Sequence, residues 1–297
     1  MSKGERLRAE RSARDAGGLL LSVPSYSQKL NRASEHIEDL GIVQDTWLGT
    51  SAYTFVTERN PQTRQTIVRA KIAEPPPAKF ALIAGDAVHA LRASLDHLAL
   101  ELAVVNHRPN PVPSVAEKAS EFPIFPSKVG DDLGSDIFHR VKKKTGEPAP
   151  GSGLYKLQGA HPDAIKAIEG IQPYHRGTAD TEDPLWLIHE LDRIDKHRRL
   201  HFTAYTLGSV GIGAGPSGSA YMGDVHFEKM GHSGPVEDGT PVAIFTASDD
   251  SYFQLNFSRQ ITLMEPTLPQ GTELAQILRS LRDCVRDEVV PLLKCFL

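Results

Sequence analysis

Residues 78–105 constrain this chain more than any other stretch. Val88, Leu91, Leu95, Leu98 and Leu102 recur at i+3 and i+4 spacing, which predicts one long amphipathic helix. Three prolines at 75–77 lead into it. RPNPVPS at 108–114 ends it, since proline cannot supply the amide proton that a helix interior needs. A helix this apolar has to be covered by others, so the chain needs a helical core. The same helix also carries Asp86, His89, Arg92, Asp96 and His97. At about 100° per residue these side chains fall on one stripe opposite the leucines, with Arg92 at its edge. Plain solvated faces are richer in Lys and Glu. A stripe heavy in histidine and interrupted by Ala93 and Leu100 is expected to meet another helix through polar contacts.

The segment DPLWLIHELDRIDKHRR, 183–199, supplies a candidate for that helix. Asp183 suits the N-cap and Pro184 the first helical position. His189, Asp192, Arg193 and Lys196 gather on one side, with His197 beyond them. Asp195 and Arg198 fall instead on the side of Leu187, Ile188, Leu191 and Ile194. Charges on a core-facing stripe need partners. These two are expected to pair with each other or to reach Arg92 or Asp96. Further helices are expected at 25–48, broken near Gly41, and at 272–293, with shorter ones at 132–143 and 162–171. Alternating apolar and polar residues predict a hairpin around NPQT within 51–73 and further strands within 200–263. The apolar FPIF at 122–125 should tuck into a groove. The expected fold class is α+β, a helical bundle core with a small antiparallel sheet. Residues 25–297 would form a single domain, preceded by a disordered segment at 1–24.

Composition excludes several function classes. A formal net charge of −4 over 297 residues gives no global nucleic-acid signature, so any basic surface would be local. The run RVKKK at 140–144 reads first as a solvated helix end and second as a phosphate-contacting patch. No stretch approaches the roughly 20 apolar residues of a membrane span, which points to a cytoplasmic protein without membrane contact. Cys284 and Cys295 would lie roughly 16 Å apart on one helix, too far for a disulfide. GAGPSG at 213–218 matches a dinucleotide fingerprint in letters only, because the residues after it alternate like a strand. It is read as a glycine-rich hairpin loop.

Two chemistries could use the polar helix faces. A metal site would draw on His89, His97, His189 and Asp192, but the arginines among them oppose cation binding. Neither a metal nor a cofactor is therefore expected. Metal-free cleavage of RNA would use a histidine as general acid or base and an arginine to stabilise charge on the phosphate. Arg92 and His97 lie five positions apart on one helix.

R-A-S-L-D-H at 92–97 resembles the R-x4-H signature of HEPN-type helical proteins, many of which are metal-independent ribonucleases. The resemblance implies that His97 is the acid or base and Arg92 the phosphate-binding group, with Asp96 or Asp195 orienting one of them. It also implies RNA as a partner and a homodimer in which two copies face each other. Over a longer span, G-D-x-x-H-x-L-R-x-x-L-D-H followed by a D-K-H-R helix resembles a widespread, uncharacterised group of bacterial proteins, with no activity to transfer. The leading expectation is thus a HEPN-like ribonuclease or RNA-binding protein. The alternative is a non-enzymatic binding or scaffold protein. In it Arg92, Asp96, Asp86, His89, His189, Asp192, Asp195, His197 and Arg198 would belong to a structural polar network. A metal-dependent hydrolase comes third.

Overall fold

The computed structural model describes residues 23–129, 136–176, 182–213, 220–232, 234–265 and 273–297. Four helices form the core: α1 (Ser25–Gly49), α2 (Lys79–His107), α7 (Pro184–His197) and α8 (Leu274–Asp283). Between them come α3 (Ser114–Ala119), α4 (Gly153–Lys156), α5 (Pro162–Gly170) and α6 (Pro173–Arg176). A π-helical stretch, Cys284–Val289, continues α8 into α9 (Val290–Leu293). The strands make two antiparallel sheets. One has the order β1 (Tyr53–Arg59), β2 (Gln65–Ile72), β6 (Pro241–Ala247), β4 (Val225–Met230). The other has the order β5 (Gly234–Pro235), β3 (Phe202–Gly213), β7 (Gln254–Leu263). The class is α+β, as the periodicity predicts.

The helix α2 lies at the centre. Val88, Leu91, Leu95 and Leu98 are fully excluded from solvent, and one continuous set of buried side chains runs from them into both sheets. Along its length α2 packs against α1, α7 and α8. Ser94 donates from its hydroxyl to the Tyr26 carbonyl at 2.9 Å, which fixes α2 against the start of α1. At the far end Phe80 meets Trp47 edge-to-face, with ring centroids 6.1 Å apart.

Several expectations need correction. The first helix runs through Gly41 without a break. An added Cβ there would meet only Arg279 at 3.7 Å, so this glycine marks no bend. The strands form two sheets where one was expected, and the N-terminal hairpin pairs through β2 with β6. Of the helix expected at 132–143, residues 132–135 lie outside the described part, as do 1–22 and 214–219. Residues 136–143 are not helical, since Val141 bridges Pro148 and Lys142 pairs with Glu147 at 2.9 Å to close a turn. Arg140 donates to the Pro150 carbonyl at 3.0 Å. The basic run is thus the arm of a turn rather than a helix end. Other readings stand as stated. Asp183 Oδ1 accepts from the amides of Leu185 and Trp186 at 2.9 and 3.1 Å, as an N-cap does. Both cysteines are free thiols, Cys284 buried and Cys295 exposed.

Gly85 sets how closely α7 approaches α2. A Cβ at this position would fall 2.6 Å from Asp195 Cγ, inside any real contact distance. Glycine is needed here for the close approach, and the short, partly buried Asp195 side chain cannot swing far. Gly85→Val should therefore destabilise the fold by about 1–3 kcal/mol. Urea unfolding checks this, and Asp195→Gly in the same chain should recover part of the loss. An additive double variant would place the strain elsewhere.

Candidate functional site

The polar residues of α2 and α7 divide into separate groups. The most buried centres on Arg92, which is 4% exposed. Its Nη2 lies 2.9 Å from Asp96 Oδ1, 2.9 Å from Glu121 Oε1 and 2.9 Å from the Phe122 carbonyl. Its Nη1 is buried with no hydrogen-bond partner among the described residues. Asp96 accepts from the Phe122 amide at 3.0 Å. Arg92 and Asp96, one helical turn apart on α2, therefore hold both backbone groups of one residue in the segment after α3. Lys156, at the end of α4, donates to Glu121 Oε1 at 2.8 Å and stands 5.6 Å from the centre of the Phe125 ring.

From the other side the same segment is held by Gln172, which is fully buried. Its Oε1 accepts from the Phe125 amide at 3.0 Å, and its Nε2 donates to Pro123 O at 2.9 Å and Ile168 O at 3.1 Å. The groove expected for FPIF is therefore real, and Phe122, Ile124 and Phe125 are buried in it. Buried backbone groups outside a helix or sheet need such partners.

The protonation equilibria respond to this arrangement. Burial raises the Asp96 carboxyl above its ordinary value, an effect that Arg92 and the Phe122 amide only partly offset. Burial also acts to raise Glu121, but the Lys156 hydrogen bond and the charges of Lys156 and Arg92 hold it below the usual range. Burial, then the positive charges of Arg92 and Lys156, push His189 down to about 4. The imidazole is thus neutral at pH 7 and sits 5.4 Å from the Trp186 ring, one turn back on α7. Two cations and two carboxylates meet here, so the formal charges of Arg92, Lys156, Asp96 and Glu121 cancel.

A second group joins α2 to α7 nearer the N-terminus of α2. His89 Nδ1 is 3.1 Å from Asp192 Oδ1, and Lys196 holds Asp192 Oδ2 at 2.6 Å. Burial, with Asp192 and Asp86 close by, raises the Asp195 carboxyl. The expected link from Asp195 or Arg198 to Arg92 or Asp96 is not made. Asp195 instead lies over Gly85, and Arg198 has left the helix. Arg198 forms two hydrogen bonds to Glu265, at 3.1 and 2.6 Å, and Glu265 Oε1 also accepts from the His201 amide. Glu265 is buried just after β7, so this pair ties the end of α7 to the second sheet.

His97 stands apart. It makes no hydrogen bond or ion pair with any described residue, and five positions on a helix turn it about 140° from Arg92. His197, exposed in the last turn of α7, is likewise unpaired among the described residues. The four residues His89, His97, His189 and Asp192 do not converge. Among the described residues no group of three or more His, Cys, Asp and Glu side chains is placed to hold a metal ion. No described helix is long and apolar enough to cross a membrane.

Glu121, Lys156 and Gln172 complete the site, and none carried a signal in the sequence beyond Glu121 standing directly before FPIF. No protein-family model, no curated protein and no solved structure matches the chain.

The depressed His189 has a measurable consequence. Between about 4 and 6.5 the unfolded chain holds a proton on this residue that the folded chain does not. Stability should therefore rise with pH across that window. Asp96 acts in the opposite sense just above its ordinary 3.8. Comparing wild type with His189→Gln isolates the histidine. The variant should show a shallower rise in urea midpoint from pH 4.5 to pH 6.5, and parallel curves would contradict the assignment.

Proposed function

We propose that this chain is a non-enzymatic binding or scaffold protein in which the His, Arg and Asp faces of α2 and α7 form a structural polar network. The observation that carries this reading is the environment of Arg92. The guanidinium is almost wholly buried, lies against two carboxylates and a carbonyl, and shares a cluster whose formal charges sum to zero. A phosphate-binding arginine needs an open approach and a surplus of positive charge. Arg92 has neither. The histidine that the ribonuclease reading pairs with it is turned to another part of the helix. The group nearest to acid–base chemistry is His189, whose neutral imidazole follows from burial beside cations, as a packed histidine would show.

The direct test is incubation of the purified protein with a mixed RNA pool at several pH values, with and without divalent cations, beside His97→Ala. The expected result is intact RNA throughout. Cleavage by the wild type that disappears in a folded His97→Ala would overturn this reading in favour of the HEPN-like ribonuclease. Binding of RNA without cleavage, read by gel shift, would leave the network structural and make RNA the bound partner.

A further inference from the structure

We infer that the open end of the two facing sheets is a binding site for an aromatic small molecule with one polar end. Strand alternation puts Phe55, Thr57 and Arg59 of β1, Thr66 and Val68 of β2, and Phe245 and Ala247 of β6 on a single face of the larger sheet. Opposite them stand Phe253, Leu255 and Phe257 at and along the start of β7. Between the two walls lies a cavity of about 530 Å³, within the range of small-molecule sites.

Three observations point to a ligand rather than to loose packing. The first is a contrast along the same strands. Further in, Ala70, Ala243, Ile261 and Leu263 are fully buried, whereas Phe55, Leu255 and Phe257 remain partly exposed. Between the two regions Arg259 of β7 crosses to the other sheet and donates to the Tyr53 carbonyl. The second is Thr66, 6% exposed, which lines the cavity with its hydroxyl unpaired among the described residues. That hydroxyl opens onto the cavity, where it can donate to or accept from a ligand atom. The third is the distribution of rings. Phe55 packs on Phe257 with ring centroids 4.5 Å apart and Phe245 on Phe253 at 5.4 Å, so two pairs of touching rings line the cavity. Aromatic walls of this kind favour a flat aromatic body. Its polar end belongs at the mouth, where Arg59 pairs with Asp249 at 2.7 Å and Ser248 and Ser251 share a hydrogen bond of 2.8 Å.

This inference rests on the reading of the chain as a binding protein, but it fails separately. Intact RNA with an empty cleft removes only the inference, while RNA cleavage removes the reading. The probe is 8-anilinonaphthalene-1-sulfonate, a fused aromatic with one anionic group, titrated into the folded full chain and followed by fluorescence. Saturable binding of one dye per chain is expected. Ala247→Trp, which fills the cavity from β6, should weaken it by about tenfold or more at an unchanged unfolding midpoint. Should that variant not unfold cooperatively, Thr57→Trp on the exposed lip of the same cleft takes its place, with the same result expected. Absence of saturable binding, or equal affinity in wild type and the filled variant, would overturn the proposal.

Discussion

The grip of Arg92 and Asp96 on the backbone of Phe122 is the contact on which much of this molecule depends. The stretch from Glu121 to Phe125 has neither helix nor sheet to satisfy its amides and carbonyls, yet it crosses the interior. Two side chains from α2 hold one end and Gln172 holds the other, so Phe122, Ile124 and Phe125 can be buried. Once that segment is seated, Glu121 is delivered beside Arg92, and Lys156 is drawn to Glu121. His189 then finds itself neutral beside two cations. The chemistry of the cluster follows from a packing requirement.

Buried ion pairs of this sort are not strong evidence of stability in themselves, because desolvation consumes much of their attraction. Their value here is positional. Phe122 could not shift along α2 without separating Arg92 from the carbonyl and Asp96 from the amide. The same logic operates at the other junctions. Asp195 fits only because residue 85 lacks a Cβ, and Arg198 reaches Glu265 only because α7 stops one residue before it. Each fixes one element against another at a single geometry.

The four core helices were legible in the sequence because their periodicity is strong. The short helices between them were not, except for α5. The hairpin was legible because NPQT interrupts two alternating runs. Arg92, Asp96 and His189 were legible as unusual. Their partners were not, since Glu121 and Lys156 come from irregular segments where no period marks an inward side chain. Glu265 lies 67 residues from Arg198, and nothing local connects them. Alternation told which residues of β1, β2, β6 and β7 share a face, but not which strands pair or whether the space between faces is filled. The division into two sheets and the cavity between them are therefore properties of the tertiary structure. The R-x4-H spacing shows a related gap. A five-residue interval is close in sequence and far around a helix, and only burial separates a phosphate-binding arginine from a structural one.

The central claim is that Arg92 holds the fold while His97 does not. Urea unfolding of Arg92→Ala and His97→Ala beside the wild type tests it most directly. Removing Arg92 leaves the buried Phe122 carbonyl unpaired and Asp96 without its cation, while Glu121 keeps Lys156, and should cost about 2 kcal/mol. Removing His97, which pairs with no described residue, should cost less than about 1 kcal/mol. An Arg92→Ala protein as stable as wild type would contradict the account.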